Sequence, residues 1–173
     1  MKKIIKLFFA VALIPAITSC GGKKESTIVA PDGMNVLELS RYGKPFAIFV
    51  PDTAHAKLVI TEQSYGALDI KVGQNFAVSI NEQPADIELR KKDVKGDEVN
   101  KLKSFMVEEP NAIMWESEIT QPEFHFLINQ KIGNSEYSFE EVKSNDNLFG
   151  KEAIQKMFDS CKNIKEIKKA ANS

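Results

Sequence analysis

Along the middle of the chain apolar and polar positions alternate with a period of two: Leu68, Ile70 and Val72 are separated by Asp69 and Lys71. That alternation predicts a strand with one buried face, because successive side chains of an extended backbone leave on opposite sides. Gly73-Gln74-Asn75 supplies turn residues, and Phe76, Val78 and Ile80 repeat the pattern, so a hairpin is expected over 68–80. A second hairpin is expected over 123–142, with Phe124, Phe126 and Ile128 on one strand, Gly133-Asn134 at the turn, and Tyr137 and Phe139 on the return. Segments 45–50, 57–62 and 111–118 are apolar and β-branched enough to be further strands, the last of them starting after the Pro110-Asn111 breaker.

Elsewhere the period changes. In 97–108, Val99, Leu102, Phe105 and Met106 fall three and four apart, which predicts a helix with Asp97 and Glu98 in its first turn, where the helix dipole favours acids. An extension back through 86–95 is opposed by Gly96. Ile154, Met157, Phe158, Cys161, Ile164 and Ile167 predict a second helix over 151–169, with Glu152 near its start and Lys165, Lys168 and Lys169 near its end. A sheet with one apolar face needs a cover, and these helices can provide it. The expected class is α+β: a twisted antiparallel sheet with two helices packed on one face, in a single globular domain over 34–170.

The first residues follow another rule. Lys2, Lys3 and Lys6 precede an uninterrupted apolar run from Leu7 to Ile14, and the segment reads as a secretory signal too short to span a bilayer stably. It ends in Ile17-Thr18-Ser19-Cys20, which resembles the lipobox of bacterial lipoproteins. The resemblance implies cleavage between Ser19 and Cys20, so that 1–19 is the signal peptide, and a diacylglyceryl group on the Cys20 thiol. Each buried acyl CH₂ contributes about 0.8 kcal/mol, and two chains hold stably where one is marginal, so a lipidated Cys20 makes the membrane a partner without any spanning helix. Residues 20–33 read as a flexible lipidated tether, polar and glycine-containing through Gly21-Gly22-Lys23-Lys24-Glu25-Ser26.

Gly21 stands where enteric lipoproteins retained at the inner membrane carry Asp, so the resemblance points to the outer membrane, on its periplasmic or surface face. The charged residues after Cys20 look like the short export signals of Bacteroidetes-type lipoproteins; a solvated linker is the alternative. The order of elements and the segment Phe149-Gly150-Lys151-Glu152-Ala153-Ile154-Gln155-Lys156-Met157 resemble a group of small uncharacterised lipoproteins from such bacteria and, at the level of fold, the PsbP-like α/β sandwich. The first resemblance implies a location and no mechanism, and the second fold serves several unrelated binding roles.

Composition narrows the functions. The chain has 23 basic and 24 acidic residues; without residues 1–19, which hold three lysines and no acid, the balance is 20 to 24, a net charge of −4. Nothing in that balance favours nucleic acid, and none is expected as a partner. No phosphate loop, dinucleotide fingerprint, nucleophile elbow or calcium loop occurs. His55 and Asp52 share a loop but lack the further ligands zinc requires, and His125, between Phe124 and Phe126, reads as a structural or solvated strand residue. Cys161 lies on the apolar stripe of the last helix, as a core thiol with a raised pKa and no disulfide partner within the chain. No catalytic residue, metal site or cofactor is therefore expected.

Two readings stand. The first is a non-enzymatic, membrane-anchored envelope lipoprotein with a binding or interaction domain that contacts an envelope protein or another envelope component. The second is a carbohydrate- or small-ligand-directed receptor or enzyme, using Trp115 with the carboxylates around it, Glu116, Glu118 and Glu123. In the second, Trp115 and Glu116 are the ligand-binding candidates; in the first, Trp115 and Ile113 anchor a core and the acids are a solvated face.

Overall fold

Both expected hairpins form, and they build the centre of the main sheet. The structure is a computed structural model that describes residues 28–54, 56–142 and 148–167. Ser19, Cys20, the signal segment, most of the tether and His55 lie outside the described residues. Within them the chain runs through β1 (Met34–Glu38), a 3₁₀ turn at Ser40–Tyr42, β2 (Phe46–Pro51), β3 (Leu58–Glu62), β4 (Leu68–Val72) and β5 (Phe76–Asn81). It continues through α1 (Ile87–Gly96), β6 (Lys101–Glu109), β7 (Ala112–Glu118), β8 (Pro122–Ile132), β9 (Ser135–Glu141), α2 (Lys151–Lys162) and β10 (Lys165–Glu166). The architecture is α+β, and every strand pairing among the described residues is antiparallel.

The described residues form two sheets where one was expected. Seven strands run in the order β3-β4-β5-β9-β8-β7-β6, and three more form β1-β2-β10. The small sheet packs on the large one: the Phe46 ring meets Tyr137 and Phe139 edge-on at centroid distances of 5.1 and 5.9 Å. This core also takes Ile48, Ile70, Ile80 and Phe126, with Ile154, Met157 and Cys161 of α2 beside the small sheet. Lys44 Nζ donates to Glu82 Oε2 and Ser135 Oγ to Oε1, both at 2.9 Å, and the Lys44 bond above all holds the Glu82 carboxyl below its ordinary value of 4.5.

The helices do not share a face. Strand alternation sends Met114, Phe126 and Ile128 toward α2, and Ile113, Trp115 and Leu127 to the opposite side, where Ile87 of α1 completes a smaller core with Val94, Leu102 and Phe105. Opposite faces of one sheet therefore carry one helix each, which corrects the expectation of both on one side.

The helix expected over 97–108 is also corrected: residues from Lys101 to Glu109 are strand β6. Its register on β7 slips between Leu102 and Ser104 and again between Phe105 and Val107. Each bulge inserts one residue, so Leu102 and Phe105 face the same side although three apart, and a bulged strand carries a helix-like spacing. The helix lies earlier, at α1, where the Asp86 side chain accepts from Leu89 N–H at 2.9 Å and caps the first turn. At the other end α2 stops at Lys162, short of the expected 169. The chain then extends, Lys165 pairs with Ala47 of β2, and Ile164 reaches the core from extended backbone.

Candidate functional site

Strand alternation and the ends of three strands create one polar cleft, of about 400 Å³. On the α1 side of the sheet β7 presents Trp115 and Ser117, and β8 presents their cross-strand partners His125 and Glu123. Arg90, Asp93 and Val94 of α1 form another wall, and Asp97 and Asn100 of the connection to β6 reach in from beside it. Asp97 Oδ1 accepts the N–H groups of Val99 and Asn100 at 2.9 and 2.8 Å, which fixes that turn and sets Asn100 in place.

The last wall is Glu141, at the end of β9. By register it follows Tyr137 and Phe139, both core residues, and it is buried like them. Its carboxylate folds over the sheet end: Oε2 accepts Phe126 N–H at 3.0 Å and Oε1 lies 2.8 Å from His125 Nδ1. An ionised carboxylate only accepts, so Nδ1 carries the proton of this bond, and in the neutral ring Nε2 keeps a lone pair. Nε2 lies 3.6 Å from Glu123 Oε2, beyond hydrogen-bond length, and has no hydrogen-bond partner. Trp115 holds the imidazole from the side, with ring centroids 5.2 Å apart.

Two more buried atoms at the same cleft lack partners: Asn100 Oδ1 and Ser117 Oγ. The Asn100 amide donates to Glu123 Oε2 at 3.1 Å through its other end, and Ser117 is only 1% exposed. Leaving a buried polar group unpaired costs about 1–3 kcal/mol, and three of the five such side-chain atoms among the described residues belong to residues that line this cleft.

The residues singled out from sequence divide. Trp115 and Glu123 meet in the cleft, and His125 lies between two carboxylates. Glu116 does not join them: as the neighbour of Trp115 on a regular strand it points to the other face, opposite Phe124 and Ser104. Glu118 is committed to Lys103, at 2.7 Å. Trp115 is 6% exposed and packs with Ile113 and Leu127, so it gives the cleft a wall and offers no open ring face. Asp52 accepts from Ala54 N–H of its own loop and from Asn35 of β1. Among the described residues no three of His, Cys, Asp and Glu gather round a common point for a metal, and no helix is long and apolar enough to cross a membrane. Cys161 is free and wholly buried, and burial pushes its thiol far above the ordinary value of 9.0.

Asn100, Ser117 and Glu141 were not foreseen. Glu141 left a readable trace, since an acid at the next inward position after Tyr137 and Phe139 is out of place in a core. Asn100 left none, because its position depends on β6 being a strand. A second groove, about 540 Å³, runs between β1 and α2 past Met34, Phe49 and Lys156. It is larger but has no unpaired buried side-chain atom, since Ser160 Oγ in its wall donates to the Phe49 carbonyl. Comparison with protein-family models, with curated proteins and with solved structures returned no match.

Proposed function

We propose that this chain is a lipid-anchored protein of the bacterial envelope whose non-enzymatic domain holds a small polar ligand in the cleft between α1 and the ends of β7, β8 and β9. The anchor is argued from the lipobox-like Ile17-Thr18-Ser19-Cys20, and the outer membrane is the destination that Gly21 favours. Binding is argued from one observation: His125 Nε2, Asn100 Oδ1 and Ser117 Oγ are buried without partners at one cleft. A ligand with matching donors satisfies them and recovers the desolvation they cost.

Binding is favoured over catalysis because Ser117 Oγ, the hydroxyl at the cleft, makes no hydrogen bond to His125 Nε2, so no nucleophile–base pair is formed. A general base needs a reacting proton within about 3 Å. A sugar-stacking site is disfavoured because Trp115 presents no free ring face. A protein partner held at the envelope is compatible with this reading and adds nothing to the cleft.

Trp115 is the only tryptophan of the chain, so its emission reports on the cleft alone. Full-length protein in detergent is titrated with glucose, N-acetylglucosamine, ethanolamine, spermidine, succinate and phosphate. Saturable change with a donor-bearing compound is expected, weakened in Ser117→Ala. Flat titrations throughout would remove the cleft as a ligand seat.

A further inference from the structure

We infer that the ligand of this cleft carries a primary ammonium group, seated between Glu123 Oε2, His125 Nε2 and the Asn100 amide oxygen. The inference rests on the ligand-binding reading above and adds its chemical class.

Charge gives the first reason. The lining holds four carboxylates, Asp93, Asp97, Glu123 and Glu141, against one guanidinium, Arg90. Arg90 is itself turned to Glu140, 3.9 Å away, which is not part of the lining. A cleft with such an excess of one sign concentrates ligands of the other.

Hydrogen bonding gives the second. With Nδ1 donating to Glu141, the imidazole offers Nε2 as an acceptor, and Asn100 Oδ1 and Glu123 Oε2 are acceptors as well. An ammonium has three donors and no acceptor, so it suits this set in full. A hydroxyl has one donor and would set its own lone pairs against the acids. Ser117 Oγ, unpartnered on a residue buried to 99%, is a fourth group that can accept.

The 3.6 Å gap between Nε2 and Oε2 completes the case. In the neutral ring Nε2 and Oε2 are two lone-pair-bearing atoms 3.6 Å apart, too far for a direct bond, and a cation between them would pair with both. A transition-metal ion would want a third strong ligand, and among the described residues no such group gathers. An organic ammonium needs none, and Val94, Phe124 and Phe149 give apolar wall for the carbon skeleton behind it. Because the three unpaired atoms are closed to solvent, the ammonium enters by parting the 3.1 Å bond from Asn100 to Glu123 and taking over that carboxylate oxygen.

Cyclohexylmethylamine and cyclohexylmethanol differ only in the group at issue and do not absorb where Trp115 emits. Full-length protein is titrated with each at pH 8. The amine is expected to bind at least about tenfold more tightly, a difference of about 1.4 kcal/mol. Glu123→Gln should abolish that preference while leaving the weak alcohol binding in place. If Glu123→Gln does not fold, Arg90→Gln, which removes the one guanidinium of the lining, should raise the preference for amine over alcohol about threefold. Equal binding of amine and alcohol would overturn the inference and leave the ligand-binding reading intact. Absence of binding by these probes and by every compound of the earlier titration would overturn both.

Discussion

Two groups, Cys161 in the core and His125 half-buried at the cleft, show how surroundings decide what a side chain can do. The Cys161 sulfur sits in the apolar core beside Met157 and Phe158, with no charge to stabilise a thiolate, so burial raises its pKa and suppresses its reactivity. We expect iodoacetamide at pH 8 to leave the Cys161 peptide unlabelled in native protein and to label it in urea. Cys161→Ser should lower the unfolding free energy by about 1–3 kcal/mol in urea denaturation, because it buries a hydroxyl where nothing receives it. Fast native labelling would show that the helix opens and that the thiol is available. His125 has the opposite setting, pinned by Glu141 at one nitrogen and facing Glu123 with the other. The histidine alone had little to say in the sequence. Its meaning comes from an acid sixteen residues away that the hairpin brings alongside.

At the scale of elements, what could be read from the chain depended on how local the deciding interaction is. The hairpins β4–β5 and β8–β9 were legible because alternation and turn residues lie side by side; Gly133 adopts φ 60° at the second turn, as the tight connection requires. β6 has the sequence pattern of a helix because two bulges give Leu102 and Phe105 the three-residue spacing of a helix face. The evidence of a strand lay in its partner β7, not in its own residues. α1 is hidden for the converse reason: only Ile87 and Lys91 of its residues are buried, and it docks through Ile87 and Val94 on residues of strands distant in sequence. The end of α2 was overextended because Ile164 keeps the helical spacing while packing from extended chain. These errors bear directly on the site. Asn100, Asp97 and the α1 wall belong to the stretch that was misread, whereas Trp115, Glu123 and His125 belong to strands that were placed correctly.

For the whole molecule, the sheet separates two functions of packing. One face is sealed by α2 and the small sheet into a large core, and the other is only partly covered by a short helix, which leaves the polar cleft at the sheet end. Stability rests on the first face, so the second can carry unpaired polar groups. The proposed anchor adds location to this arrangement: with Cys20 acylated, residues 20–33 would carry the domain at the membrane. Cys20→Ala is expected to abolish incorporation of radiolabelled palmitate and to move the protein from the membrane fraction to the soluble one; continued labelling would refute the anchor. The cleft itself is tested most directly by nitrogen-15 chemical-shift mapping of full-length protein titrated with cyclohexylmethylamine. Saturable shifts centred on Asn100, Trp115, Ser117, Glu123 and His125 are what the account predicts. Shifts centred instead on Met34, Phe49 and Lys156 in the groove beside α2, or no saturable shift anywhere, would contradict it.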